Sequence, residues 1–271
     1  MSDILAEIIK AIFGCITGET GHIVDLATQT PAELFGKDYW NSLLKIGTEA
    51  VMPFAILLLG FFMAFDMYRV WCRSNGDLDM ELVCVTFVKY IIPLICITQT
   101  YDLLQFIFNL INTMIQQLYK FVSMGTGSSI DTSAYIKQVS GMNFWQQFGV
   151  MFQLVGPFLI TQLIVVGSTV VIYGRLFEMT IYWIFAPIPF ASFVNDDLRG
   201  SIGINFIKMF CSLVLQGGLI VLVVSMYLML IKSVTVQTSA GGAFAMAGYS
   251  AVLLVTLVKS GSLSKRLLGT F

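Results

Sequence analysis

Residues 47–70 read GTEAVMPFAILLLGFFMAFDMYRV. Between Glu49 and Asp66 no side chain carries a charge. At 1.5 Å per residue this stretch reaches across the roughly 30 Å of a bilayer's hydrocarbon core. It is therefore a membrane span, opened by Glu49 and closed by Asp66 and Arg69, which lie three apart on one helix face. The bulk composition agrees. The chain has 271 residues, 57% hydrophobic and 11% charged, with a mean hydropathy of +0.83. A soluble domain carries about 25% charged residues, so this chain lacks the charged surface that water would require.

On the N-terminal side, Ile4, Ile8, Ile12 and Ile16 form one row at i, i+4 spacing, and Leu5, Ile9 and Phe13 form the next. Asp3, Glu7 and Lys10 lie off that stripe. The stretch is too short to cross a bilayer, which leaves two alternatives: an amphipathic helix in the membrane interface, or one packed on the rest of the protein. MSDILAEIIK has acidic residues where a cleavable signal needs a basic region, so targeting rests on the internal apolar segments. Thr30-Pro31-Ala32-Glu33 predicts a helix start, with Thr as cap, Pro at the first position and Glu at the third.

On the C-terminal side, residues 82–122 form an apolar region that as one helix would run roughly 60 Å, about twice a bilayer core. One bent span is expected, its outer half projecting with Asn109, Asn112, Gln116 and Gln117 as a wet or protein-facing row. A break near Pro93 or Thr98-Gln99-Thr100 is the alternative. A Gly-, Ser- and Thr-rich loop over 123–146 precedes a third span at about 149–173, ending at Arg175. The run from Phe177 to Val194 carries Pro187 and Pro189 in Ala-Pro-Ile-Pro, which predicts extended or turned backbone. Such backbone survives at membrane depth only where protein or a cavity covers it. It either crosses or forms a re-entrant or interfacial hairpin. Spans at about 204–231 and 242–258 follow.

Positive charge favours the hairpin. Arg69, Arg73, Arg175, Arg199, Lys259, Lys265 and Arg266 then share one side, as cytoplasmic loops do. The expected fold is all-α: a polytopic transmembrane helical protein of about five spans, an amphipathic N-terminal helix and the Pro-containing hairpin. Its parts are an extracytoplasmic or interfacial segment 1–46, a membrane domain 47–258 and a cytoplasmic tail 259–271. The N-terminus lies outside.

Candidate chemical groups are few. Net charge is −1, with no basic stripe to neutralise a row of phosphates, so direct sequence-specific nucleic-acid binding is not expected. Cys15, Cys72, Cys84, Cys96 and Cys211 form no CxxC pair and read as small apolar helix residues. His22 is the only histidine, so no metal site is expected, and no cofactor. No Walker motif, nucleophile elbow or HExxH occurs. Arg175 and Glu178, three apart, read as a helix-end ion pair, with a functional intramembrane charge as the alternative. Lys89 and Lys208 snorkel from span ends. Ser239, Ala243, Ala247 and Ala251, at spacing four, make a small-residue face suited to a self-association interface or to packing within the monomer.

This layout resembles the TrbL family, which includes the sixth VirB protein of type IV secretion systems. The residues that carry the resemblance lie between 47 and 260. They are the first span closing on Arg69, the long second span, the central outer loop, and the aromatic-Ala-Pro-Ile-Pro-aromatic-Ala stretch from Trp183 to Ala191 ahead of Asp197, Leu198 and Arg199. The resemblance implies a homo-oligomeric subunit in the bacterial inner (cell) membrane, without enzymatic activity, at the base of a conjugation machine's stalk or pilus. Its partners would be the bilayer, the secretion ATPase, the small membrane subunit and the assembly-factor subunit, and it could line the DNA–protein translocation path. A small-molecule or ion transporter is the competing expectation, although the two halves show no inverted repeat. An intramembrane enzyme lacks a base within reach of any nucleophile.

Overall fold

The computed structural model describes residues 23, 25–73, 80–125, 143–194, 201–235 and 241–270. Among these every regular element is a helix, as an apolar solvent demands, because a helix satisfies its own backbone polar groups. The expected N-terminal helix at residues 3–17 and most of the 123–146 loop lie outside the described residues.

Helix α1 (Pro31–Phe35) begins as its sequence predicts. The Glu33 amide donates to the Thr30 hydroxyl oxygen at 3.1 Å, and the Thr30 amide donates to the Glu33 carboxylate at 2.8 Å. This reciprocal cap satisfies two otherwise orphaned donors. Gly36 (φ +82°, ψ 150°) separates α1 from α2 (Lys37–Ile46), in a region of backbone space open essentially to glycine alone.

α2 passes through one π turn, Gly47–Val51, into α3 (Met52–Arg73). The Met52 amide reaches back five residues to the Gly47 carbonyl. A side chain at Gly47 would collide with the Tyr101 hydroxyl, so this widened turn depends on glycine. Such turns mark functional or strained points in helices.

The long second apolar region is divided. α4 covers Met80–Thr98 and α5 Thr100–Gly125, with a turn at Gln99, and of the two only α4 is long and apolar enough to cross a bilayer among the described residues. Helical bonding carries on through the turn, from Gln99 N–H to Ile95 and from Leu103 N–H to Gln99. The distortion falls at the threonines and not at Pro93, which lies inside α4. Thr98 donates to the Leu94 and Ile95 carbonyls, and Thr100 to those of Cys96 and Ile97. Hydroxyls that compete for helix carbonyls disturb the regular ladder there.

The third span departs furthest from the sequence expectation. In place of a helix ending near 173 and a separate hairpin over 177–194, a single helix of 42 residues, α6 (Phe144–Phe185), runs straight through Arg175 and Glu178. Among the described residues, its stretch long and apolar enough to cross a membrane is Gln162–Phe185. Nothing between Gly174 and Phe185 breaks a helix. Pro187 has no N–H for the next helical bond, so it stops α6 at the Ala186 turn and then takes the first position of α7 (Pro187–Ala191). A 3-10 turn, Ser192–Val194, follows, and Ser192 donates to the Pro189 carbonyl at 2.7 Å. The Pro-containing stretch is therefore turned and helical, not extended. α7 packs on both α3 and α4, which also pack on each other.

α8 (Ser201–Thr235) and α9 (Gly241–Leu267) enclose the last two expected spans. Gly269 (φ +63°) closes α9. The Thr270 amide donates to Lys265 and the Gly269 amide to Arg266, the bonding of a Schellman cap. Four stretches of the described residues are long and apolar enough to cross a membrane: Lys37–Arg73, Met80–Thr98, Gln162–Phe185 and Ile202–Leu230.

The chain forms two units. One comprises Met1–Gln29, Asn112–Arg175 and Leu215–Ser264; the other comprises Thr30–Ile111, Leu176–Val214 and Lys265–Phe271. The core of the second centres on Trp183. Its ring meets Trp40 and Phe210 edge-on at 5.4 Å and Phe108 at 5.9 Å. Each such pair adds about 0.5–1.5 kcal/mol beyond area burial.

Candidate functional site

Ionic and polar side chains inside apolar helices are costly, so they identify where function or assembly acts. In the first unit the central one is Arg175, 3% exposed and inside a span. Its Nη1 donates to the Ala27 carbonyl at 2.9 Å. Ile23, Leu26 and Ala27 are all buried, so a short N-terminal helical stretch is anchored by a cation from α6. The approach is possible because of Gly217 on α8: a methyl group there would collide with both the guanidinium and the Ala27 carbonyl. Its neighbour Gly218 receives Ile115 of α5 in the same way. The glycine pair thus serves two close contacts on successive faces of one helix.

Further polar groups in this unit join α8 to α9. Gln216 donates to the Ser260 hydroxyl at 3.2 Å, and the Tyr227 and Ser250 hydroxyls share a bond of 2.6 Å. Ser168, Ser225 and Ser264 are also buried, each donating to a carbonyl of its own helix. Interhelical bonds of this kind contribute about 0.6 kcal/mol each in membrane proteins.

In the second unit the Tyr90 hydroxyl donates to the Asp66 carboxylate at 2.7 Å, tying α4 to α3. The Arg69 guanidinium lies 4.9 Å from the Phe65 ring centroid, a cation–π geometry. Glu178 lies 3.9 Å from the Lys265 ammonium, with both side chains more than a third exposed, so the pair adds little stability.

The residues singled out in the sequence fall as follows. Arg175 and Glu178 are not at a helix end. Arg175 holds a backbone carbonyl in the first unit and Glu178 meets Lys265 in the second. Burial among carbonyls and small residues replaces the aqueous helix end that the charge had suggested. Pro187 is buried and Pro189 partly so; together they shape the turn beneath α3 and α4. Ser239 lies outside the described residues, as do the side chains of Ala243 and Ala247; Ala251 is exposed on α9. The Arg175–Ala27–Gly217 contact was not foreseen. A lone arginine within an apolar run, together with a Gly-Gly pair in another span, is the signal that could have found it. Among the described residues no three His, Cys, Asp or Glu side chains come together as a metal site would require.

A bundle of apolar helices with buried arginine, glutamine and serine side chains and a Pro-closed aromatic core defines a polytopic all-α membrane protein. The chain belongs to a conjugal transfer family: the family model described as TrbL/VirB6 plasmid conjugal transfer like protein matches residues 16–187. The match takes in Ala27, Arg175, Trp183 and the start of the Pro turn. It begins ahead of the stretch that carried the resemblance in the sequence and stops before α8. The chain is thus a membrane component of a conjugal transfer system, acting with that system's other subunits. No curated protein and no solved structure matches it.

Proposed function

We propose that the chain is a structural subunit of a conjugation machine of the type IV secretion kind. It scaffolds the base of the stalk or pilus as a homo-oligomer in the bacterial inner (cell) membrane. It does no covalent chemistry of its own and borders the path taken by DNA with attached protein. The observation that carries this proposal is the uneven enclosure of the spans. Only 17% of the apolar window in Lys37–Arg73 and 22% of that in Met80–Thr98 is buried within the chain, against 56% for Ile202–Leu230. Leu57, Phe61, Val85, Val88 and Ile92 point outward, a surface that neighbouring copies, other subunits or lipid would cover. Ala251 is exposed on α9, and the sequence spacing of four that it shares with Ser239, Ala243 and Ala247 would supply a second contact of small residues.

The secretion ATPase, the small membrane subunit and the assembly-factor subunit are the partners proposed. The N-terminus lies outside and the C-terminus in the cytoplasm, in keeping with the basic residues Lys265 and Arg266 in the last turn of α9. Gentle-detergent affinity purification from the native cell, with mass analysis of the particle, tests the assembly. A ring-sized oligomer, or co-purification of the secretion ATPase, supports it; a lone monomer or dimer with no transfer subunits refutes it. In a background without native cysteines, Arg266→Cys should label only from the cytoplasmic side.

The buried polar groups around Arg175 and Gln216 favour one other function, a small-molecule or ion transporter. Saturable uptake by the purified chain in liposomes would establish that instead.

A further inference from the structure

We propose that the cavity beside the C-terminal cap of α9 is a binding site for one anionic phospholipid. The cavity has a volume of about 480 Å³, within the range of small-molecule sites. Its lining divides in character. Ile202, Phe206 and Met209 from the start of α8 supply apolar surface, and Tyr182, Asn205 and Thr270 supply a phenol, an amide and a hydroxyl. An amphiphile needs both.

The position of the cavity also favours a lipid. The apolar part of α6 ends at Phe185, that of α8 begins at Ile202, and α9 ends at Leu267. Tyr182, three residues before the first of these ends, lines the cavity together with Ile202 at the second and Gly269 and Thr270 just beyond the third. Three helix ends thus border the cavity, and the ends of membrane-spanning helices are where a bilayer's headgroups would lie. The Schellman bonds around Gly269 fold Thr270 back onto Lys265 and hold it at the cavity wall.

Charge then selects the headgroup. Lys265 and Arg266 lie in the turn that precedes the cap. Lys208 is exposed on α8, three residues from Asn205 and so on the same side of the helix. Each of these cations is one helical turn from a lining residue or backbone-bonded to one, and among the described residues Lys265 already faces the Glu178 carboxylate. Basic clefts between helix ends at the membrane surface recognise anionic headgroups in this manner.

The test uses the full chain in mild detergent and native mass spectrometry, with dioleoylphosphatidylglycerol or dioleoylphosphatidylcholine added in parallel. One phosphatidylglycerol should be retained roughly tenfold more tightly than phosphatidylcholine. Lys208→Gln and Arg266→Gln, both at exposed positions, should each weaken phosphatidylglycerol by about fivefold and leave phosphatidylcholine unchanged. Asn205→Trp, which fills the cavity from an exposed position, should remove the bound lipid without lowering the melting temperature. Equal retention of the two lipids overturns the proposal, as does an Asn205→Trp chain that still holds phosphatidylglycerol. Should that variant keep its lipid and lose its association with other copies, the cavity belongs to a protein segment. None of these lipid readouts depends on conjugation, so their failure leaves the proposed transfer role standing.

Discussion

Replacing Gly217 by alanine should destabilise the protein far more than the same change at Gly60. At Gly217 the added methyl group meets the Arg175 guanidinium and the Ala27 carbonyl. The first is the end of a long side chain; the second is backbone and cannot turn aside. Forcing a methyl group into a filled site costs about 1–3 kcal/mol. Losing the 2.9 Å bond between Arg175 and Ala27 adds about 1.5–3 kcal/mol, as for hydrogen bonds to charged groups. The total is about 2.5–6 kcal/mol, or roughly 5–24 °C in melting temperature for a chain of this size. At Gly60 the methyl group points into open space. The better helix propensity of alanine then leaves stability unchanged or raises it by about 1 kcal/mol. Thermal melting of both variants in one mild detergent measures the difference. Arg175→Met supplies a further check, because it removes one collision partner. The double variant Arg175→Met/Gly217→Ala should lose less than the sum of the two single losses, by about 0.5–3 kcal/mol. A Gly217→Ala chain that melts with Gly60→Ala, or strictly additive losses, would refute the close approach of α8 to residue 27.

Other contacts give equally direct outcomes. Tyr101 has a buried hydroxyl with no hydrogen-bond partner among the described residues, so Tyr101→Phe should be neutral or stabilising by about 1 kcal/mol in a melt. Gly47→Ala should be destabilising by about 1–3 kcal/mol, and part of that loss should be recovered in the Tyr101→Phe background. Tyr90→Phe removes the donor to Asp66 and should cost about 1.5–3 kcal/mol; an unchanged melting temperature would show that the two helices do not depend on this bond. Thr30→Ala should cost about 1 kcal/mol through loss of the α1 cap, and Thr30→Ser should restore most of it.

The features legible in the sequence were those with local causes. The Thr30 cap box follows from four consecutive residues, and it forms as the spacing requires. The apolar run 47–70 reads as a span because its length and lack of charge are properties of the segment alone. Segment boundaries were less legible. Arg175 marked a helix end in the sequence because a charge normally seeks water, and nothing local to it discloses a carbonyl from residue 27. The division of the second apolar region lies at Gln99, between Thr98 and Thr100, and not at Pro93; the threonine hydroxyls compete for helix carbonyls there, while α4 accommodates its proline.

The sequence by itself determined that this chain is helical and lives in a membrane. Hydropathy and the scarcity of charge are sums over residues, and a bilayer admits few architectures. The family pattern also lay in the chain, within residues 16–187. The tertiary structure decided which groups meet: Arg175 with Ala27 through the opening at Gly217, Tyr90 with Asp66, Lys265 with Glu178, and the aromatic rings around Trp183. These pairings join residues 24 to 148 positions apart, and a distance in space of that kind is set by how helices pack, which no local pattern of side chains encodes.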